Sequence, residues 1–276
     1  MGAAVPVRRA AAALLCGVVL VPGLSGCAWP GSFGSVPDPP SAAAPALPKY
    51  YDPAPLITDV RARTRLDGGS TLSVAGTLTR GGTTEPVTGD GALHVDEDGE
   101  APAVRLLLRS GPPGTVPAGT EVIRIGGRTW LRPSDGGWAE AGRVPLDPDD
   151  MTHATLAANV AAALDPLGAL ARYPDAVLVA DAADDAVDGV PAVHYHLVVD
   201  LVRAVASETD PARHAALAAQ QRAGATRLSS EIWLDAERRP LRTRVRQQLP
   251  DGGALDVLVR YDGWGAPVTI EPPVRG

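Results

Sequence analysis

Three stretches near the C-terminal end decide the fold: LSSEIWLD (residues 228–235), LRTRVRQQL (241–249) and LDVLVRY (255–261). Their apolar and polar side chains alternate with a period of two, which sends successive residues to opposite faces of an extended chain. In the middle stretch Thr243 and Val245 point one way and Arg242, Arg244 and Arg246 the other. Such alternation marks antiparallel strands with one dry face and one wet face. Glu231, Asp235 and Asp256 share the wet face with the arginines, so cross-strand ion pairs are expected there rather than a free basic surface.

The same pattern continues upstream. Val60, Ala62, Thr64 and Leu66 alternate with Arg61, Arg63 and Arg65, and the reading is a strand from Leu56 ended by Asp67-Gly68-Gly69. Leu72, Val74, Gly76 and Leu78 mark the next strand, then Leu93 with Val95, then Val104, Leu106 and Leu108. Glu121–Ile125 and Arg128–Arg132 flank Gly126-Gly127, a two-residue hairpin signal. Further strands are read near Ala176–Ala180 and Val193–Leu201. Two helices interrupt the series. From Asp150 to Arg172, Leu156, Val160, Leu164, Leu167 and Leu170 keep helical spacing, broken at Asp165-Pro166. Asp210 caps a second helix with Pro211 in its first turn and Gly224 after its end. The fold class is therefore α+β: about ten antiparallel strands in one domain, with two helical segments over the apolar face.

The N-terminal part has a different character. Residues 1–26 run from Arg8-Arg9 through an apolar stretch, Ala10 to Val21, to Leu24-Ser25-Gly26. A basic start, a short apolar core and small residues at the cut are what export and cleavage require. The run is shorter than the ~20 apolar residues that span a bilayer. Leu24-Ser25-Gly26-Cys27 resembles the lipobox of bacterial lipoproteins, which implies diacylglyceryl transfer to the Cys27 thiol and cleavage before it. Arg8-Arg9 lacks the apolar context of a twin-arginine signal. Residues 27–55, rich in Pro and Ala, read as a tether, and 56–276 as the domain. The mature protein is thus expected on the outer face of the cell membrane, a monomer held in membrane lipid through Cys27.

Composition excludes several functions. Loss of Arg8 and Arg9 leaves 23 basic against 32 acidic residues, a net charge of −9, which argues against a nucleic-acid partner. With Cys16 removed and Cys27 lipidated, no thiol remains for a disulfide, a metal or a nucleophile. His194 and His196 share a strand face, but Val193, Tyr195, Leu197 and Val199 form the apolar side, so the histidines read as a solvated pair. Asp96-Glu97-Asp98-Gly99 reads as a turn without the distal glutamate of a calcium loop, and Asp147, Asp149 and Asp150 as a helix start. No catalytic residue, metal site or cofactor is assigned, and an enzyme is not expected.

The apolar face is built from Val, Leu, Ile, Ala and Gly, and the domain contains no Phe. Ala157, Ala158, Ala161, Ala162 and Ala163 make the first helix slim. Two packings stay open: a solid core, or a hollow lined by Leu156, Val160, Leu164, Leu167, Val74 and Leu106 that accepts hydrocarbon.

Residues 231–242 (EIWLDAERRPLR), 260–273 (RYDGWGAPVTIEPP) and 188–195 (DGVPAVHY) resemble stretches of the actinobacterial LppX/LprG-type lipoproteins. The resemblance implies a LolA/LolB-like fold, a strongly bent antiparallel half-barrel closed by helices, holding acyl chains of lipids or glycolipids. It also implies, as an alternative, an envelope sensor that binds a membrane protein. Members usually place a helix ahead of the first strand, whereas here Tyr50–Pro55 is read as leading straight into strand residues. The shared motifs lie at strand ends and hairpins, so no binding residue is carried over from them.

Overall fold

The computed structural model describes residues 46–96, 101–111, 118–134, 136–141, 156–157, 160–161, 164–222, 224–248 and 253–273. The signal, Cys27, residues 97–99 of the acidic turn and Asp147, Asp149 and Asp150 lie outside the described residues.

The first element corrects the sequence reading. Residues 56–66 are not a strand but most of helix α1 (Pro53–Asp67). Asp52 caps it by accepting a hydrogen bond from the Ala54 N–H at 3.0 Å, Pro53 fills its first turn, and Gly68 ends it at φ 77°. Leu56, Ile57 and Val60 are buried along one stripe, whereas Leu66, assigned to the dry face by alternation, is 77% exposed. The arginines at 61, 63 and 65 alternate because they surround the helix, not because a sheet face repeats.

Eleven strands follow: β1 (Gly69–Arg80), β2 (Thr83–His94), β3 (Ala103–Ser110), β4 (Ala118–Ile125), β5 (Arg128–Pro133), β6 (Ala139–Glu140), β7 (Val177–Val187), β8 (Val190–Asp200), β9 (Arg227–Leu234), β10 (Pro240–Gln248) and β11 (Ala254–Asp262). They form one antiparallel sheet in the order β6-β5-β4-β3-β2-β1-β11-β10-β9-β8-β7. This is the open, helix-covered half-barrel. Gly126 and Gly127 turn β4 into β5 at φ 55° and 81°, a conformation with two positive φ values that matches strand twist. Three further α-helices are described in full: α2 (Pro166–Arg172), α3 (Leu201–Ser207) and α4 (Pro211–Arg222).

Two apolar clusters lie on the inner face. One joins Leu72, Val74, Val87, Leu106, Val122 and Val257 of the sheet to Leu156, Ala157, Val160, Ala161 and Leu164, of which 156, 157, 160 and 161 are helical. The other joins Val193, Tyr195, Leu197 and Ile232 to Leu56, Ile57 and Val60 of α1 and to Leu167 and Leu170 of α2. The second cover over the sheet is therefore α1. Helix α4 forms where its caps place it and, among the described side chains, meets this cluster through the half-buried Leu217. Leu47 and Tyr50 also pack here, with the Tyr50 N–H donating to the Tyr195 hydroxyl at 3.0 Å. The packed body thus takes in the end of the stretch read as tether, because Tyr50 has an aromatic and polar partner set that Pro/Ala composition conceals.

The wet face behaves as the charge pattern requires. Arg244 pairs with Asp256 at 2.7 Å, and Arg246 with Glu231 at 2.7 Å. Arg242 lies over the Trp233 ring and 3.8 Å from Asp188, and Asp235 instead caps the β9–β10 turn by accepting from the Arg239 N–H. His194 stacks on Trp233 at 4.0 Å, 3.2 Å from Glu231, and the His196 ring nitrogen lies 2.6 Å from the Ser229 hydroxyl.

Close approach of strands is tightest at two glycines. A Cβ on Gly91 would stand 2.2 Å from the Arg105 carbonyl oxygen, and one on Gly76 2.2 Å from that of Asp256. Gly91→Ala is expected to lower stability by about 1–3 kcal/mol, as overpacking does, in a urea titration. Gly137→Ala, where nothing lies within 4 Å, should change it by less than about 0.5 kcal/mol. Equal effects would show that the approach is not what forbids a side chain at 91.

Glu208, between α3 and α4, is nearly enclosed. It accepts from Arg213 Nε at 2.9 Å, from the Tyr173 hydroxyl and from the Asp210 N–H at 2.7 Å. These donors, Arg213 foremost, pull its carboxyl down to about 2 from 4.5. A folded pKa below the unfolded one stabilises above the unfolded value and fades as pH falls through the folded one. The stability advantage of the native chain over Glu208→Gln should accordingly be full at pH 6 and shrink between 4.5 and 2. A pH-independent difference would contradict the assignment.

Candidate functional site

The described residues contain no group of three or more metal-ligating side chains, and no described helix is long and apolar enough to cross a membrane. What the fold builds is a junction where α1, the segment over the inner face and the C-terminal strand ends meet. The connection from β6 to β7 runs between opposite edges of the sheet, and its described part lies on the apolar inner face. Asp165 ends the helical stretch and caps α2, accepting from the Gly168 N–H at 2.8 Å.

A hollow of about 50 Å³ opens here, lined by Arg61, Thr64 and Arg65 of α1, Leu93, Val95, Pro102, Leu164, Asp165, Leu167, Pro240, Tyr261 and Trp264. The Tyr261 hydroxyl is completely enclosed and donates to the Leu164 carbonyl at 3.2 Å. With its only proton so used, it accepts from the Thr243 hydroxyl 3.1 Å away. Burial pushes the Tyr261 phenol far above its ordinary value, so it stays a neutral donor. Trp264 stacks on Tyr261 at 5.9 Å and donates its indole N–H to the Pro240 carbonyl at 2.7 Å. A larger, shallower groove of about 300 Å³ lies beside α1, against Ala54, Ile57, Thr58, Ala171 and Pro174, and shares Arg61 and Arg65 with the hollow.

Charge at this junction is uneven. Among the described residues Asp165 is its one lining carboxylate. Burial raises the Asp165 pKa, while the Gly168 N–H and the charges of Arg61, Arg124 and Arg172 draw it back. Three arginines from three elements thus act on one acid, Arg61 from α1, Arg124 from β4 and Arg172 from the end of α2, and Arg65 of α1 lines the same hollow.

The six residues expected to line a cavity divide. Val74, Leu106, Leu156 and Val160 pack against one another with at most 3% exposure. Leu164 and Leu167 line the hollow. Sequence reading missed Pro240, Tyr261 and Trp264, which sit inside the quoted C-terminal motifs. It also missed Arg61 and Arg65, because a strand reading placed them on a wet sheet face.

No family model matches the chain, and no curated protein matches it in sequence. Among solved structures, LprF from Mycobacterium bovis is 16% identical, with a TM-score of 0.39, over 81% of this chain and 97% of that one. A DUF1329 family protein from Desulfovibrio piger is 14% identical, TM-score 0.31, over 76% and 94%. A LolA superfamily protein from Nitrosomonas europaea is 9% identical, TM-score 0.28, over 78% and 93%. The chain is similar to these proteins, and its motifs resemble those of the LolA-like, LppX/LprG-type lipoproteins.

Proposed function

We propose that this chain is a lipoprotein anchored through Cys27 on the outer face of the membrane, which takes up acyl chains of lipid or glycolipid between its bent sheet and the segment crossing it. The observation that carries the reading is the cover itself. Leu156, Ala157, Val160, Ala161 and Leu164 meet the sheet through apolar contacts, with the Tyr261–Leu164 hydrogen bond as a polar tie at the end next to the hollow. A hollow of about 50 Å³ holds only one or two water-sized groups at ~30 Å³ each, so a long chain enters by displacing the cover. Apolar surface exposed by that movement is re-covered by the ligand, and each buried CH₂ contributes ~0.8 kcal/mol. Twelve methylenes would supply about 10 kcal/mol before the costs of ordering.

Uptake of a fluorescent fatty acid by the Ala44–Gly276 unit, stripped of lipid, is expected to be saturable, and native mass spectrometry of unstripped protein should show bound lipid. Tyr261→Phe, which releases the Leu164 carbonyl, should speed uptake several-fold at similar affinity. A protein that carries no lipid and takes up none would end the carrier reading; stable capture of a membrane protein in its place would favour the sensor.

Anchoring has its own check. Cys27→Ala is expected to move the protein from the membrane fraction to the soluble or unprocessed pool, with loss of the lipid mass on the N-terminal peptide. Unchanged membrane attachment would place the anchor elsewhere.

A further inference from the structure

The acyl-chain reading leaves the polar end of the ligand undefined, and the charge at the junction addresses it. Across the outer face of the sheet and at the α3–α4 corner many arginines are matched to acids: Arg105 and Arg132 to Glu121, Arg109 to Asp90, Arg128 to Glu140, Arg213 to Glu208 and Arg260 to Asp188. Arg63 and Arg239 both pair with Asp67, on the same helix as Arg65 but on another side. Arg65 has no ion-pair or hydrogen-bond partner among the described residues, although the chain as a whole carries a net charge of −7. It is half-buried and lines both the hollow and the groove.

A half-buried guanidinium loses hydration without regaining it from a partner, so leaving it unmatched in an acidic protein costs free energy unless something else supplies the acceptor. Its planar fork suits an oxyanion bidentately. Arg61 stands one turn before it, and Arg124 and Arg172 add positive charge around Asp165, so the field at Arg65 favours a further anion.

We propose that the junction selects amphiphiles with an anionic headgroup, phosphate or carboxylate, seated on Arg65 with its hydrocarbon directed toward Leu164, Leu167 and Trp264. This rests on the acyl-chain reading and adds to it the class of headgroup. Arg65 is a specificity residue: it holds the oxyanion while the apolar contacts hold the chain, so the two contributions separate by experiment.

The test uses the Ala44–Gly276 unit, whose apolar clusters draw on residues from Leu47 onward. Four probes with one oleoyl chain are titrated below their micellar concentrations: lysophosphatidate, oleate, lysophosphatidylcholine and monoolein. Lysophosphatidate and oleate are expected to bind about tenfold tighter than monoolein, the factor that one charge-assisted contact of about 1.4 kcal/mol supplies. A margin for lysophosphatidate alone would assign the site to phosphate, and one for both to oxyanions generally. The margin should fall several-fold when salt is raised from about 0.05 to about 0.5 M. Arg65→Gln should remove most of it, Arg65→Lys should keep part, and monoolein affinity should be unchanged in both. Arg109→Gln, on the paired outer surface, should leave every affinity as it is. Equal binding of all four probes would overturn the headgroup inference while the acyl-chain reading stood. Binding of none would overturn both, and a margin untouched by Arg65→Gln would remove Arg65 from the site.

Discussion

The sheet begins in its own middle. Because β1 pairs with β11 as well as with β2, the chain builds one half outward from the centre to β6 and must then reach the far edge to start β7. Ten strand spacings of ~4.8 Å separate those edges, roughly 48 Å along a flat sheet and less across a bent one. A connection laid over the inner face must satisfy most of its backbone polar groups internally, since the sheet surface there is mainly hydrocarbon. Helix does this, and the residues at 156, 157, 160 and 161 are helical and buried. The cover is therefore a consequence of strand order rather than an addition to it.

That constraint explains the unusual composition of the cover and its weak polar fastening. A segment crossing a concave surface has to be thin, and alanine at 157 and 161 lets the helix lie close to Val74, Leu106 and Val257. At the crossing's end the backbone turns at Asp165-Pro166, and polar groups become unavoidable. Asp165 satisfies the start of α2, and the Tyr261 hydroxyl satisfies Leu164. The hollow lies at this change of direction, where α1, α2 and the ends of β2, β10 and β11 meet in a space that side chains fill incompletely.

Much of this was legible in the sequence, and the omissions have physical causes. The strands from Leu72 onward announce themselves by alternation, and α4 by its Asp-Pro start and glycine stop. Helix α1 carries the same signals, Asp52-Pro53 and Gly68, yet its run from Val60 to Leu66 also alternates. In a helix whose buried stripe is only Leu56, Ile57 and Val60, the remaining positions are free to follow any pattern, and a period of two arises without a sheet. Tertiary burial decides between the periods. The junction was illegible for a different reason: Arg65, Asp165, Pro240 and Trp264 are brought together by the pairing of β1 with β11 across nearly two hundred residues of chain, and local pattern cannot express it.

The edges of the sheet show the same economy of charge as its outer face. Strand β6 is two residues long, and β7 carries Asp181, Asp184 and Asp185 with a register shift after Val179, both features that discourage pairing with another chain. Lys49, the single lysine, reaches Asp184 at 2.7 Å and ties the incoming chain to that edge. Acidic residues thus face outward at the border and are matched by arginines across the convex sheet. At the junction beside the cover, Arg65 is half-buried with no acidic partner among the described residues. If an anionic headgroup seats there, a negative molecule with a local positive mouth would repel anions over most of its surface and admit them at one place, so the overall charge would sharpen that selectivity instead of opposing it.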